Sequence, residues 1–173
     1  MILPIVAYGS EVLRKPCLDI NESYKDLDIL ISNMFETMYA ASGVGLAAPQ
    51  INKSLRLFIV DTSPFKDDES PDHKICKNVF INPKIISKSG DSWVFNEGCL
   101  SIPEVREDVK RLSSIEIEYY DEKFNKKLES FDGINARVIL HEYDHIEGVL
   151  FVDKISPLRK RMIKGKLKDI VNG

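Results

Sequence analysis

From Leu27 onward apolar residues recur at three- and four-residue steps: Leu27, Leu30, Ile31, Met34, Phe35, Met38 and Ala41. That spacing lays one apolar stripe along a helix and predicts an α-helix over residues 25–42, with Ser23 as N-cap and Gly43 as stop. Further on the period changes to two. Ile115, Ile117 and Tyr119 alternate with Glu116, Glu118 and Tyr120, as in a half-buried strand. Strands are predicted over 55–61, 79–87, 92–97, 109–111, 114–121 and 126–131. A turn at Ser89-Gly90-Asp91 and a hairpin closed by Asp121 to Asn125 separate some of them. Residues 62–78 read as a polar, acidic loop with Pro64 and Pro71. A helix follows over 132–147, opened by Asp132 and ended by Gly148, then a short strand or extended piece over 149–152. Ser156-Pro157 opens a last helix to about residue 170. Residues 1–22, broken by Pro4, Gly9 and Pro16, are irregular apart from one helical turn over 11–15. Strands gathered between helices point to an α+β fold.

Length changes this picture little. The 173 residues are 43% hydrophobic and 29% charged, which suits one globular domain over residues 1–173 with a core that needs no staples. Charge changes it more. Residues 156–173 carry six Lys/Arg against Asp169, a net of +5, so the remainder carries −8 of the overall −3. A basic end on an acidic body suits a polyanionic partner or, more simply, a solvated helix face. Three cysteines, Cys17, Cys76 and Cys99, show no paired spacing, so no disulfide framework is expected. The opening Met1 to Val6 lacks the basic region of a signal peptide, and no run of 18 apolar residues exists. A reducing cytoplasm and no membrane span are therefore expected.

The chemistry centres on His141-Glu142-Tyr143-Asp144-His145. Residues four apart on a helix share a face, so both imidazoles can reach one divalent metal while Glu142 reaches a water beside it. Two of the chain's three histidines stand here. A catalytic metal needs a third protein ligand. Zinc metallopeptidases with this helix take it from a downstream Glu or His, and after Glu147 this chain has neither. Cys99, in Glu97-Gly98-Cys99-Leu100-Ser101 at a strand end, is the upstream candidate as a thiolate; taken alone it also reads as a small buried hydrophobe. His73 and Cys76 are three apart, but their loop offers no further pair.

Together with Gly43-Val44-Gly45-Leu46-Ala47-Ala48-Pro49-Gln50, these two segments resemble, in order, the three signature motifs of the peptide deformylases. The opening Ile2 to Val6, Val12-Leu13-Arg14 and Gly148-Val149-Leu150-Phe151 are also similar to that family, so the resemblance covers nearly the whole chain. It implies antiparallel sheets packed around a central metal-binding helix. It implies removal of the formyl group from formylmethionine at the start of new proteins, with release of formate. The implied metal ligands are Cys99, His141 and His145, with Glu142 as general base and Gln50 and the Leu100 N–H as oxyanion donors. Substrate would lie along Val44, Gly45 and Gly98, contact Arg106, and place its methionine near Val44, Ile134 and Val138. Glu97 and Arg111 match a supporting ion pair. The implied metal is Fe²⁺ first, with Zn²⁺, Ni²⁺ or Co²⁺ able to take its place. Implied partners are formylmethionyl nascent peptides and the ribosome, met by the basic helix over 156–173; no specific DNA is implied. Leu140 departs from the family, where Gln commonly precedes the first His, and the 62–78 loop is longer than in the shortest members. A zinc metallopeptidase and a module with a closed structural zinc are the rival readings.

Overall fold

Val60 pairs with Gly45 on one side and Asn78 on the other, and from there the strands follow one another in chain order. The computed structural model describes all 173 residues and holds one five-stranded antiparallel sheet, ordered β1 (Gly45–Ala47), β2 (Leu57–Asp61), β3 (Lys77–Cys99), β4 (Ile102–Tyr120) and β5 (Lys126–Asp132). Three α-helices accompany it: α1 (Leu27–Ala40), α2 (Gly133–Ile146) and α3 (Pro157–Asn172). Every residue of β2 is buried, because the sheet is covered on both faces. Phe58 and Val60 pack with Phe80, Ile117, Ala136 and Ile139 on the α2 side. Leu57 and Ile59 pack with Ile31, Met34 and Met38 on the α1 side. A third cluster joins Val105 and Val109 of β4 to Phe151, Val152 and Ile163, and so seats α3.

The predicted strands at 79–87 and 92–97 are one strand, as are those at 109–111 and 114–121. Ser89-Gly90-Asp91 is not a turn. The β3–β4 register slips between Ser89↔Ser114 and Ser92↔Leu112, and Gly90 takes φ +80° there. A Cβ on Gly90 would lie 2.3 Å from Ser113 Oγ, so the glycine admits a bulge that bends the ribbon without reversing it. Helix α1 starts at Leu27, later than expected, with Asp26 left-handed at φ 59°. Ser23 is not its cap, since the Asn21 carboxamide oxygen accepts from the Ser23 N–H and holds a separate turn. Residues 151–154 form a 3-10 turn and no strand, closed by the Asp153 carboxylate accepting from Leu150 N–H at 2.9 Å. The hairpin at Asp121 and the Ser156 cap are as expected, Ser156 Oγ accepting from Arg159 N–H at 3.2 Å.

The end of α2 positions the chemistry. Gly148 N–H donates to His145 O and Val149 N–H to Asp144 O, the paired bonds that close a helix on a left-handed residue. Gly148 has φ +76°, and a Cβ there would meet the Arg14 carbonyl oxygen at 2.6 Å. Gly148→Ala is therefore expected to cost at least about 1–2 kcal/mol from the left-handed conformation alone. A melting temperature lowered by several degrees would show this. An unchanged melting curve would contradict it.

Candidate metal centre

β3 ends at Cys99, and a two-residue turn, Leu100-Ser101, returns the chain into β4. Tyr8 N–H donates to Ser101 O at 2.8 Å, so the N-terminal segment holds this turn. Across from it, α2 presents His141 and His145 one turn apart. The ligand atoms of Cys99, His141 and His145 all lie within 4.8 Å of one another, with Cys99 Sγ 3.3 Å from His145 Nε2. His141 Nδ1 meets Glu97 Oε1 at 2.9 Å, which sets that nitrogen as the donor and turns the Nε2 lone pair toward the cluster. His145 Nδ1 is buried without a hydrogen-bond partner.

The electrostatics favour a cation here. Burial works against charge on His141, but hydrogen bonds to Cys99 and Glu97 outweigh it and hold its pKa up at about 10, so a metal would take the Nε2 position by displacing a proton. His145 is pushed well below the usual histidine range by burial and by His141 beside it, so it stays a neutral imidazole. A thiolate and two imidazoles, one oriented by a carboxylate, fit a divalent metal with an open position.

Glu142 is 4% exposed and its Oε1 has no partner. Burial raises its pKa to about 7. Gly45 makes room for it, since a Cβ there would lie 2.5 Å from Glu142 Oε2. Gln50 is buried in the short turn after β1. Its Oε1 accepts from Ala47 N–H at 3.0 Å, so its Nε2 faces Ser101 Oγ at 3.1 Å and Cys99 Sγ at 3.5 Å. Glu97 accepts from Arg111 at 2.8 and 3.0 Å, and Arg111 also donates to Asp144 at 2.6 Å. Burial works to raise the Glu97 carboxyl, but the bonds from His141 and Arg111 prevail and hold it well below the carboxylate range.

A cavity of about 510 Å³ opens over these groups, between the β1 edge and the ends of β3 and β4. Val44, Gly45, Gln50, Gly98, Cys99, Leu100, Arg106, His141 and Glu142 all line it, so nearly every expected site residue converges on one space. Arg106 sits exposed over Gly98, donating to the Asn96 side chain and backbone at 2.7 and 2.8 Å. Val138 lines the cavity but Ile134 does not. Phe65 stands on both, and Ile134 faces a neighbouring depression with His73. Phe65, Phe95 and Arg137 are lining residues that motif reading misses. Arg137 carries a legible signal, four residues before His141 on the same helix face. Leu140, on α2, is 3% exposed and packs into the core. His73 Nε2 is 3.1 Å from Thr62 Oγ1, and Cys76 is buried with its thiol pushed up to about 12 by burial, so neither joins the cluster. No helix is long and apolar enough to cross a membrane.

The profile of the polypeptide deformylases matches residues 2–161. The peptide deformylase of Flavobacterium psychrophilum is 57% identical, with 100% of this chain and 92% of the relative aligned. Among solved structures, peptide deformylase from Plasmodium falciparum superposes with a TM-score of 0.87 at 34% identity, over 97% of this chain and 95% of that one. The Synechococcus elongatus peptide deformylase, solved in complex with actinonin, gives 0.81 at 36% identity over 98% and 84%. A zinc metallopeptidase is not favoured, and the third candidate ligand stands upstream on β3 as a cysteine. The chain belongs to the polypeptide deformylase family, metal-dependent hydrolases that remove the formyl group from N-formylmethionyl peptides.

Proposed function

We infer that Cys99, His141 and His145 hold one divalent metal and that the residues around the cavity carry out deformylation with it. One observation carries this reading: Cys99 and His141 of a Cys-His-His cluster line a single cavity with a buried, unpartnered carboxylate, beside an open strand edge. A metal held there would supply Lewis acidity and lower the pKa of water toward ~7. Glu142, buried at the cavity with its Oε1 free, is placed to accept a proton from the attacking water and to deliver it to the leaving amine, a role suited to a carboxylate whose pKa lies near neutrality. Gln50 Nε2 and the Leu100 N–H donate to the formyl oxygen as charge develops on it; one such donor is typically worth about 10²–10³ in rate. The peptide pairs as an added strand along Val44, Gly45 and Gly98. Its methionine side chain packs by Val44, Phe95 and Val138, and Arg106 meets the residues beyond. Products are formate and a free α-amino group.

A thiolate with two imidazoles fits Fe²⁺, Zn²⁺, Ni²⁺ and Co²⁺ alike, and Fe²⁺ is put first because the family resemblance implies it. An oxidisable ligand set of this kind belongs in the reducing cytoplasm. The test is formate release from formyl-Met-Ala by protein purified without oxygen, beside a peptide with only internal bonds to cut. Release of formate with no internal cleavage is the expected result.

The ribosome is proposed as partner of α3. Ile163 is buried and Arg159 pairs with Glu107 at 2.7 Å, so α3 is anchored and its removal would open the core. Lys160, Lys164 and Lys168 are exposed, four residues apart on one face. Reversing all three to Glu is expected to weaken co-sedimentation with ribosomes, and parent binding should fall steeply with salt. Formyl-Met-Ala hydrolysis should not change. Binding that ignores both salt and charge reversal would remove the ribosome from the account.

A further inference from the structure

Arg137 is only 2% exposed, an unusual place for a guanidinium. It stands four residues before His141 and eight before His145, so the three side chains form one stripe on α2. Its Nη1 donates to Glu97 Oε2 at 2.8 Å and to Val109 O at 2.9 Å, and its Nη2 to Trp93 O at 2.7 Å. The guanidinium carbon lies 4.7 Å from the Trp93 ring centre and 5.9 Å from that of Phe95. Trp93, Phe95 and Glu97 alternate along one face of β3. A single side chain of α2 therefore grips that face of β3 from residue 93 to residue 97.

Glu97 is the hinge of this arrangement. Its Oε1 meets His141 Nδ1, and its Oε2 accepts from Arg137. Arg111 also binds Glu97, but it reaches from β4, the strand paired with β3, and shares its charge with Asp144. Arg137 reaches from the helix that carries His141. It thus fixes the carboxylate in the frame of the helix whose imidazole that carboxylate orients. We infer that Arg137 is a positioning residue for the metal centre, acting through Glu97 on the His141 ring. This rests on the reading of Cys99, His141 and His145 as ligands.

The test is Co²⁺ affinity of the full-length chain, measured by chelator competition and read from the thiolate-to-cobalt absorption band, with no turnover involved. Arg137→Met keeps length and bulk but removes the donors. Its affinity is expected to fall about 10–100-fold, the usual loss when an outer partner of a ligating histidine is removed. Glu97→Gln should lose a similar amount. Placed in the Glu97→Gln background, Arg137→Met should lose no more than about twofold further, because both act on the same ring. Parent-like affinity in Arg137→Met overturns the inference. So does a full loss that persists in the Glu97→Gln background, which makes Arg137 a general brace. If Arg137→Met does not fold, Arg137→Lys is read in the same cycle by the same criterion, since one ammonium nitrogen cannot occupy the Nη1 site by Glu97 and Val109 and the Nη2 site by Trp93 together. A parent protein without the cobalt band overturns the ligand reading itself, and the inference with it.

Discussion

Glu142→Gln is expected to keep its metal and lose turnover by about 10²–10⁴-fold or more, the range of general acid–base catalysis. Glu142 stands beside the Cys-His-His cluster without being part of it. It is buried, its Oε1 has no partner, and it packs against Gly45, where a Cβ would clash with it. Glutamine has the same shape, so packing against Gly45 survives. What disappears is the basic oxygen that can accept a proton and return it to the amine. Stability should hold or rise, because a buried unpaired carboxylate is costly. Metal content and formate release on the same sample decide the matter: a metal-loaded variant with parent turnover would remove Glu142 from the chemistry.

The second large effect is on the metal itself. Cys99→Ser is expected to drop metal content from one per chain to near zero and to take activity with it. A serine hydroxyl keeps its proton at neutral pH and offers no soft anion, whereas the Cys99 sulfur lies 3.3 Å from His145 Nε2. Cys17→Ser and Cys76→Ser should leave metal content unchanged. Both residues are buried away from the cluster, and burial pushes their thiols up to about 11 and about 12. A hydroxyl buried at either place is expected to lower stability without touching the metal. Elemental analysis of the three variants separates these outcomes, and loss of metal in Cys76→Ser with retention in Cys99→Ser would contradict the ligand set.

Periodicity locates α1 and the second half of β4 because each buries one face, and a buried face writes its period into the chain, whereas β2, buried on both faces, reads as a continuous apolar run. It misplaces their ends where a local contact decides. Asp153 folds residues 151–154 into a turn that their apolar run does not announce. Gly90 reads as a turn because glycine permits both a reversal and a bulge, and only the continued pairing of β3 with β4 distinguishes them. The helical ligand pair is legible from spacing alone. Cys99 taken alone reads as a core cysteine; its motif and the lack of a downstream ligand single it out, and its sulfur stands beside His145. Phe65 and Phe95 stay hidden because their importance lies in what packs against them, and Arg137, though legible as a residue on the His141 face, does not reveal its partners on β3, since no spacing rule spans 40 residues of chain. Ile134 shows the converse: it has the right helix face and is screened from the cavity by Phe65.

The central claim is that one metal sits on one sulfur and two imidazoles. Metal-edge X-ray absorption on protein purified without oxygen, with formate release confirmed on the same sample, tests it most directly. The account predicts a single sulfur neighbour and two imidazole nitrogens; with zinc in the site these stand at about 2.3 Å and about 2.0–2.1 Å. Two or more sulfur neighbours, or none, in an active sample would contradict it.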